Sequence, residues 1–204
     1  MMRRFAPWIA VVAASLTLLA AVAWRAASPP GAPADASIGG DFHLVDQTGK
    51  PVDQSILKGK WSAVFFGYTY CPDVCPTTLQ TLGAAVDELG SRAKAFQVVF
   101  ITVDPHRDTP AQLSAYLSSA SFPRGVIGLT GSDQAVAQAA NDYKVYFQKE
   151  GDGPAYSVDH SSAVYLMNPQ GRFDSVIAFG LTPHQVRDSV VRAMNGAPTS
   201  GPAG

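Results

Sequence analysis

Two cysteines, Cys71 and Cys75, are the entire thiol supply of this 204-residue chain, and they sit four positions apart in Cys71-Pro72-Asp73-Val74-Cys75-Pro76. Two cysteines cannot staple a disulfide scaffold, but sulfurs about one helical turn apart can chelate one metal ion or close a disulfide. The spacing differs from the two-residue separation of the thioredoxin redox pair. If the segment runs into a helix, Cys75 lies near its amino end, where the dipole favours negative charge, and both thiols are expected to be acidic. Two thiolates joined by an imidazole form a soft, three-coordinate set. Such a set suits copper, particularly Cu(I), and in a tetragonal geometry can hold Cu(II) as well. Structural zinc normally takes four protein ligands, which disfavours it here.

Four histidines are available. His160, in Tyr156-Ser157-Val158-Asp159-His160-Ser161, immediately precedes an apolar run. His106, in Asp104-Pro105-His106-Arg107-Asp108, immediately follows one. Position alone makes both candidates. His43 and His184 read as surface or structural residues. Asp159 or Asp104 offers a carboxylate to orient an imidazole. The His106 loop also has a plainer reading, in which Asp108 or Thr109 caps the next helix and Arg107 pairs with a nearby carboxylate. Other chemistries fit poorly. A cysteine nucleophile with a histidine base leaves the second cysteine without a task, and Thr69-Tyr70-Cys71 lacks the residue that peroxiredoxin sites carry between threonine and cysteine. No glycine-rich phosphate loop or serine nucleophile elbow is present.

The elements that must position these residues follow from apolar patterning. Phe42–Val45 and Pro51-Val52, joined by Asp46-Gln47-Thr48-Gly49, predict an opening hairpin. Trp61–Gly67 and Gln97–Val103 are continuous apolar runs of strand length, suited to strands covered on both faces. Leu79, Leu82, Val86 and Leu89 recur at helical spacing, predicting a helix over Pro76–Leu89 that stops at Gly90. Pro110 lies in the first turn of a further helix towards Leu117, and Gly125–Leu129 is a third short strand. Thr130 or Ser132 opens a helix through Asn141, with a short edge strand expected at Lys144–Phe147. Ser162–Met167 and Phe173–Ala178 flank the turn Asn168-Pro169-Gln170-Gly171, and Thr182-Pro183 starts a last amphipathic helix through Met194. Alternating strands and helices closed by an antiparallel hairpin and a helix are the element order of a thioredoxin-like α/β domain. In right-handed βαβ units the loops after Gly67 and Val103 leave the same sheet edge, and an antiparallel strand near Ser162 begins there. The cysteine loop, the Asp104–Asp108 loop and His160 are therefore expected to converge.

Charge is sparse and unevenly spread. Only 15% of residues are charged, and the formal net charge is −1, so no basic surface offers itself to nucleic acid. The twenty residues Phe5–Trp24 carry no charge, about the length that crosses a ~30 Å hydrocarbon core as one helix. Arg3 and Arg4 ahead of them predict a cytoplasmic amino terminus and an exported remainder. Ala21-Val22-Ala23 imitates a signal-peptide cleavage site, but the apolar length favours a retained anchor. Arg3, Arg4 and Arg25 leave twelve basic against sixteen acidic residues beyond the anchor. The expected organisation is an anchor over 1–25, a flexible Ala/Pro/Gly/Ser linker over 26–40, one domain over 41–195 and a disordered tail over 196–204.

The run Phe65-Phe66-Gly67-Tyr68-Thr69-Tyr70-Cys71-Pro72-Asp73-Val74-Cys75-Pro76-Thr77-Thr78-Leu79 resembles the Sco/SenC family of copper-binding assembly proteins. So do Val103-Asp104-Pro105, Arg107-Asp108-Thr109-Pro110 and Val158-Asp159-His160-Ser161, in the family's order and over residues 41–195. The resemblance implies a membrane-anchored thioredoxin-like domain that binds copper through Cys71, Cys75 and His160, with a Cys71–Cys75 disulfide in the oxidised, empty state. It implies a metallochaperone for the binuclear copper centre in subunit II of cytochrome c oxidase, or a thiol-disulfide reductase of that subunit's cysteines. Subunit II, and an upstream periplasmic copper carrier or thiol reductase, are the partners implied. His106 occupies a place where relatives commonly carry Glu. With the export segment so near the start of the chain, the expected location is a bacterial inner membrane, single-pass, with the domain facing the periplasm.

Overall fold

The computed structural model describes residues 38–196. The expected anchor, nearly all of the linker and all but the first residue of the tail lie outside them. Among the described residues no helix is long and apolar enough to cross a membrane.

Strands β1 (His43–Asp46) and β2 (Pro51–Asp53) form the opening hairpin, and the Asp46 carboxylate organises its turn by accepting from the backbone of Thr48 and Lys50. Strand β3 (Trp61–Gly67) is buried from Ser62 to Gly67. It leads through the cysteine loop into helix α1 (Val74–Glu88). A 3₁₀ segment, Gly90–Ala95, returns the chain to β4 (Phe96–Thr102), which pairs in parallel with β3 along its full length, from Trp61 opposite Phe96 to Gly67 opposite Thr102. Helix α2 (Pro110–Leu117) is capped by the Thr109 hydroxyl, which accepts from the Gln112 amide. Strand β5 (Ile127–Thr130) pairs in parallel with β4, and α3 (Asp133–Asp142) follows behind a Ser132 cap. Strands β6 (Phe147–Glu150) and β7 (Ser157–His160) form a separate two-stranded arm. Strand β8 (Val164–Met167) runs antiparallel to β3, β9 (Phe173–Ile177) pairs with β8, and α4 (Pro183–Met194) closes the domain behind a Thr182/Gln185 capping box.

The strands form one seven-stranded mixed sheet in the order β2-β1-β5-β4-β3-β8-β9. The unbroken apolar runs of β3 and β4 reflect their interior places, where both faces are covered. Their carboxyl ends, and the start of β8, define the edge at which the cysteine loop emerges.

Two expectations shift. Lys144–Phe147 is not the edge strand; pairing begins at Phe147, because Val145 is buried, its amide bonds the Ala140 carbonyl, and the chain turns through a positive φ at Lys144. Helix α1 starts two residues earlier than the apolar periodicity indicated, so Cys75 is a helical residue and Cys71 is not.

Gly83 shows how tightly α1 is seated. A Cβ there would stand 2.8 Å from the Ser121 carbonyl oxygen and 3.2 Å from backbone atoms of Phe122 and Pro123. In an open helix Gly→Ala gains about 1 kcal/mol. Here the obstruction is backbone, which cannot rotate aside, so Gly83→Ala is expected to lose about 1–3 kcal/mol, read from the midpoint of denaturant unfolding.

Candidate metal centre

Cys71, Cys75 and His160 come together at the carboxyl edge of β3, with their sulfur and ring-nitrogen atoms all within 4.8 Å of one another. They form the one group of three or more His, Cys, Asp or Glu residues among the described residues that could hold a metal ion. Each side chain is placed by a different element.

Cys75 lies in the first turn of α1, fully buried, over the last residue of β3. A Cβ on Gly67 would stand 2.8 Å from Cys75 Sγ and 2.9 Å from the Phe100 ring, so the close approach of sulfur to sheet requires glycine. Cys71 is half-buried, one turn before the helix, and its own amide bonds the Tyr68 carbonyl. Its sulfur accepts from the Cys75 amide at 3.4 Å. The side chain of Asp73, the residue at the N-cap, makes no capping bond, so Cys71 Sγ takes over a donor that a capping oxygen would normally satisfy.

Both thiols are free, and they divide one proton unequally. Cys71 is held well below the ordinary thiol range, chiefly by the hydrogen bond from Cys75, with further donation from His160 and from the backbone amides of Cys75 and Asp73; burial opposes the shift. Cys75 is pushed up, first because its S–H serves the Cys71 sulfur, then by burial and by the neighbouring charge. The expectation that both thiols would be acidic is therefore corrected. Two thiolates so close, with one out of water, repel each other, and the helix terminus stabilises only the outer one.

His160 ends β7. Its Nδ1 lies 2.9 Å from the Ser161 carbonyl oxygen, and a carbonyl can only accept, so Nδ1 carries the proton. Nε2 faces the sulfurs, 3.4 Å from Cys75 Sγ. The ring stands edge-on to Tyr68 and Phe65, with centroids 5.8 and 6.3 Å away. Neither candidate carboxylate orients it. Asp159 is exposed, and Asp104 bonds Arg107 and the Tyr156 hydroxyl instead. A main-chain carbonyl does the work, which residue types alone do not signal.

The other histidines lie elsewhere. His106 Nε2 pairs with Asp133 at 3.0 Å on an exposed surface, and His184 contacts Glu88 at 3.3 Å. His43 is exposed on β1. One residue of the site went unread in sequence. Asp108, expected as a possible cap, is fully buried and accepts from the Thr69 amide, the Thr69 hydroxyl and the Thr102 hydroxyl. It ties the start of the cysteine loop to the end of β4. Its carboxyl is pushed up by burial, against the pull of those bonds.

A family model described as SCO1/SenC matches residues 30–195. The human mitochondrial SCO2 homolog is 40% identical over 159 residues, 76% of this chain and 59% of the relative. An Arabidopsis thaliana mitochondrial SCO1 homolog is likewise 40% identical over 159 residues, 77% of this chain and 47% of the relative. The chain thus spans about half to three-fifths of the length of these relatives. Among solved structures, Bradyrhizobium japonicum ScoI with copper bound is similar at a TM-score of 0.70 and 41% identity, covering 76% of this chain and 99% of that one. Arabidopsis ScoI with copper bound is similar at a TM-score of 0.74 and 38% identity, covering 78% and 99%.

Alkylation reads the unequal thiols directly. Between pH 8 and 6 an ordinary thiol loses reaction rate about tenfold per unit. In the reduced, metal-free chain the iodoacetamide rate at Cys71 should stay nearly flat over that range, while Cys75 stays unmodified, as followed by peptide mass mapping. In Gly67→Ala the displaced Cys75 no longer supports the thiolate, and Cys71 should regain the ordinary pH dependence.

Proposed function

The chain belongs to the SCO1/SenC family, and on that premise we propose that it is a copper metallochaperone of cytochrome c oxidase assembly, with Cys71, Cys75 and His160 as ligands. Copper is its cargo. The observation that carries this reading is the convergence of two sulfurs and one imidazole nitrogen within 4.8 Å. Two thiolates and an imidazole are donors that copper prefers in both oxidation states.

The residues prepare this chemistry in advance. Cys71 presents a thiolate at the half-exposed rim, where an incoming ion first meets the protein. His160 offers Nε2, because the Ser161 carbonyl engages Nδ1. Of the two thiols Cys75 alone has a proton to give up, and its loss removes the hydrogen bond that the bound ion replaces. The cargo is passed on by ligand exchange, the recipient's donors displacing these one at a time from the exposed Cys71 side. The recipient in this proposal is the binuclear copper site of oxidase subunit II, and an upstream periplasmic copper carrier or thiol reductase loads or reduces the protein. We assign the domain to the periplasmic face of a bacterial inner membrane, held by the uncharged Phe5–Trp24 segment.

The unequal thiols also favour a second reading, a thiol-disulfide reductase. Cys71 thiolate attacks a partner disulfide and forms a mixed disulfide, releasing one partner thiolate. Cys75, deprotonated, attacks Cys71 sulfur, releasing the second partner thiolate and leaving a Cys71–Cys75 disulfide. Two electrons pass from this chain to the partner. Stoichiometric copper retention under reducing conditions supports the chaperone; rapid exchange with an oxidised subunit II fragment and no retained copper supports the reductase.

Proton release tests the ligand set. With Cys71 already ionised, Cu(I) binding at pH 7 should release about one proton from the two thiols rather than two, measured by calorimetry in buffers of different ionisation enthalpy. Because Cys75 is the thiol that must deprotonate, its contribution should raise Cu(I) affinity about tenfold per pH unit between pH 6 and 8. His160→Ala should abolish tight Cu(II) binding and its thiolate charge-transfer absorption; wild-type affinity in that variant would remove His160 from the site.

A further inference from the structure

Arg107 is the hub of a cluster that neither the ligand set nor the capping of α2 explains. Its side chain is only 14% exposed, and its Nε donates to the Asp104 carboxylate, itself 3% exposed. Nη1 donates to the Tyr156 carbonyl at 2.9 Å and, more loosely, to the Pro154 carbonyl at 3.4 Å. Nη2 is buried with no hydrogen-bond partner. The guanidinium carbon lies 3.6 Å from the centre of the Tyr156 ring, 4.7 Å from that of Tyr70 and 5.7 Å from that of Tyr68. The Tyr156 hydroxyl closes the circuit by donating to Asp104 at 2.5 Å.

These contacts join three separate segments. Tyr68 and Tyr70 flank the cysteine loop on the Cys71 side. Asp104 and Arg107 belong to the loop after β4. Pro154 and Tyr156 lead into β7, which ends at His160. That β6–β7 arm is not part of the seven-stranded sheet, so sheet pairing does not hold His160 over the cysteines. The arm needs another attachment. Arg107 supplies it through two carbonyl bonds and a stacked ring, while Tyr68, stacked on the same guanidinium, also packs edge-on against the His160 ring at 5.8 Å.

We infer that Arg107 is a positioning residue that clamps the β6–β7 arm so that His160 Nε2 meets the two sulfurs, and that it thereby sets how tightly Cu(II) is held. The inference rests on His160 being a copper ligand, as proposed above. Arg107 touches no copper donor and acts through His160. Its planar fork, which bonds and stacks at once, cannot be reproduced by the ammonium of lysine. Cu(I), which two sulfurs already satisfy, depends on the clamp far less than Cu(II), which needs the imidazole.

The test is a double-mutant cycle on the full chain with metal titrations. Arg107→Ala should weaken Cu(II) binding about 10- to 100-fold, the range seen when a residue that orients a metal ligand is removed, with a smaller change for Cu(I). In the His160→Ala background, Arg107→Ala should cost nothing further. Equal losses in both backgrounds would overturn the clamp. Arg107→Lys keeps the charge beside Asp104, so it should hold the thermal midpoint near wild type while failing to restore Cu(II) affinity; full restoration would show that charge alone suffices and overturn the inference. A metal-free readout separates this claim from the ligand assignment. Amide exchange over Ser157–His160 should accelerate in Arg107→Ala and in Arg107→Lys, whereas unchanged protection would overturn the clamp. If His160→Ala itself keeps wild-type Cu(II) affinity, the ligand assignment fails and the exchange result alone decides the clamp.

Discussion

Two thiolates cannot share a half-buried pocket without a cation between them. At sulfur separations of a few ångströms their repulsion is only partly screened, because one sulfur is out of water and the other is at the rim. The described structure meets this constraint by keeping one charge. Cys71 holds it where the Cys75 amide and the amino end of α1 stabilise it, and Cys75 keeps a proton that it directs to Cys71. An incoming monovalent or divalent ion lifts the constraint, since it supplies the positive charge that lets the second thiol ionise. The hydrogen bond to Cys71, burial and the neighbouring charge that together raise the Cys75 pKa are what a soft cation relieves on binding.

Holding that arrangement requires rigidity at an edge where three loops meet. Asp108 provides part of it. A fully buried carboxylate is costly unless its oxygens are satisfied, and Thr69 and Thr102 supply the donors, so the cysteine loop and the end of β4 move as one piece. Gly67 provides another part by its missing side chain. Arg107 provides a third, from the far side, by tying the histidine arm to the cysteine loop. The orientation of the His160 ring follows from a single main-chain acceptor, Ser161, rather than from a charged neighbour, which keeps a further negative charge away from the sulfurs.

Much of the frame was legible along the chain. Strands β3 and β4 announced themselves as unbroken apolar runs because both their faces are covered, and α4 announced both its ends by Thr182-Pro183 and the loss of periodicity after Met194. The start of α1 lies two residues before the Pro76 that patterning suggests, since its cap is a thiol sulfur rather than a side-chain oxygen. The arm β6–β7 was not legible beyond Phe147. Its residues Gln148-Lys149-Glu150 are polar on both faces, because the strand packs on little beyond its partner, and period-two patterning vanishes when neither face is buried.

The chemistry of the site was a matter of residue type and spacing. Two cysteines one turn apart, with no third, limit the site to a pair of sulfurs. Which histidine joins them was not readable from spacing, because His106 and His160 both flank strands that end on the same edge. Tertiary structure decided it by sending His106 outward to Asp133 and bringing His160, at the end of β7, to Cys75. It also decided which thiol is acidic. Both cysteines have the same local chemistry, and only burial, hydrogen-bond direction and the position of the helix terminus in three dimensions distinguish them. Those depend on contacts between residues as far apart as Gly67, Asp108 and His160, which no local pattern in the chain records.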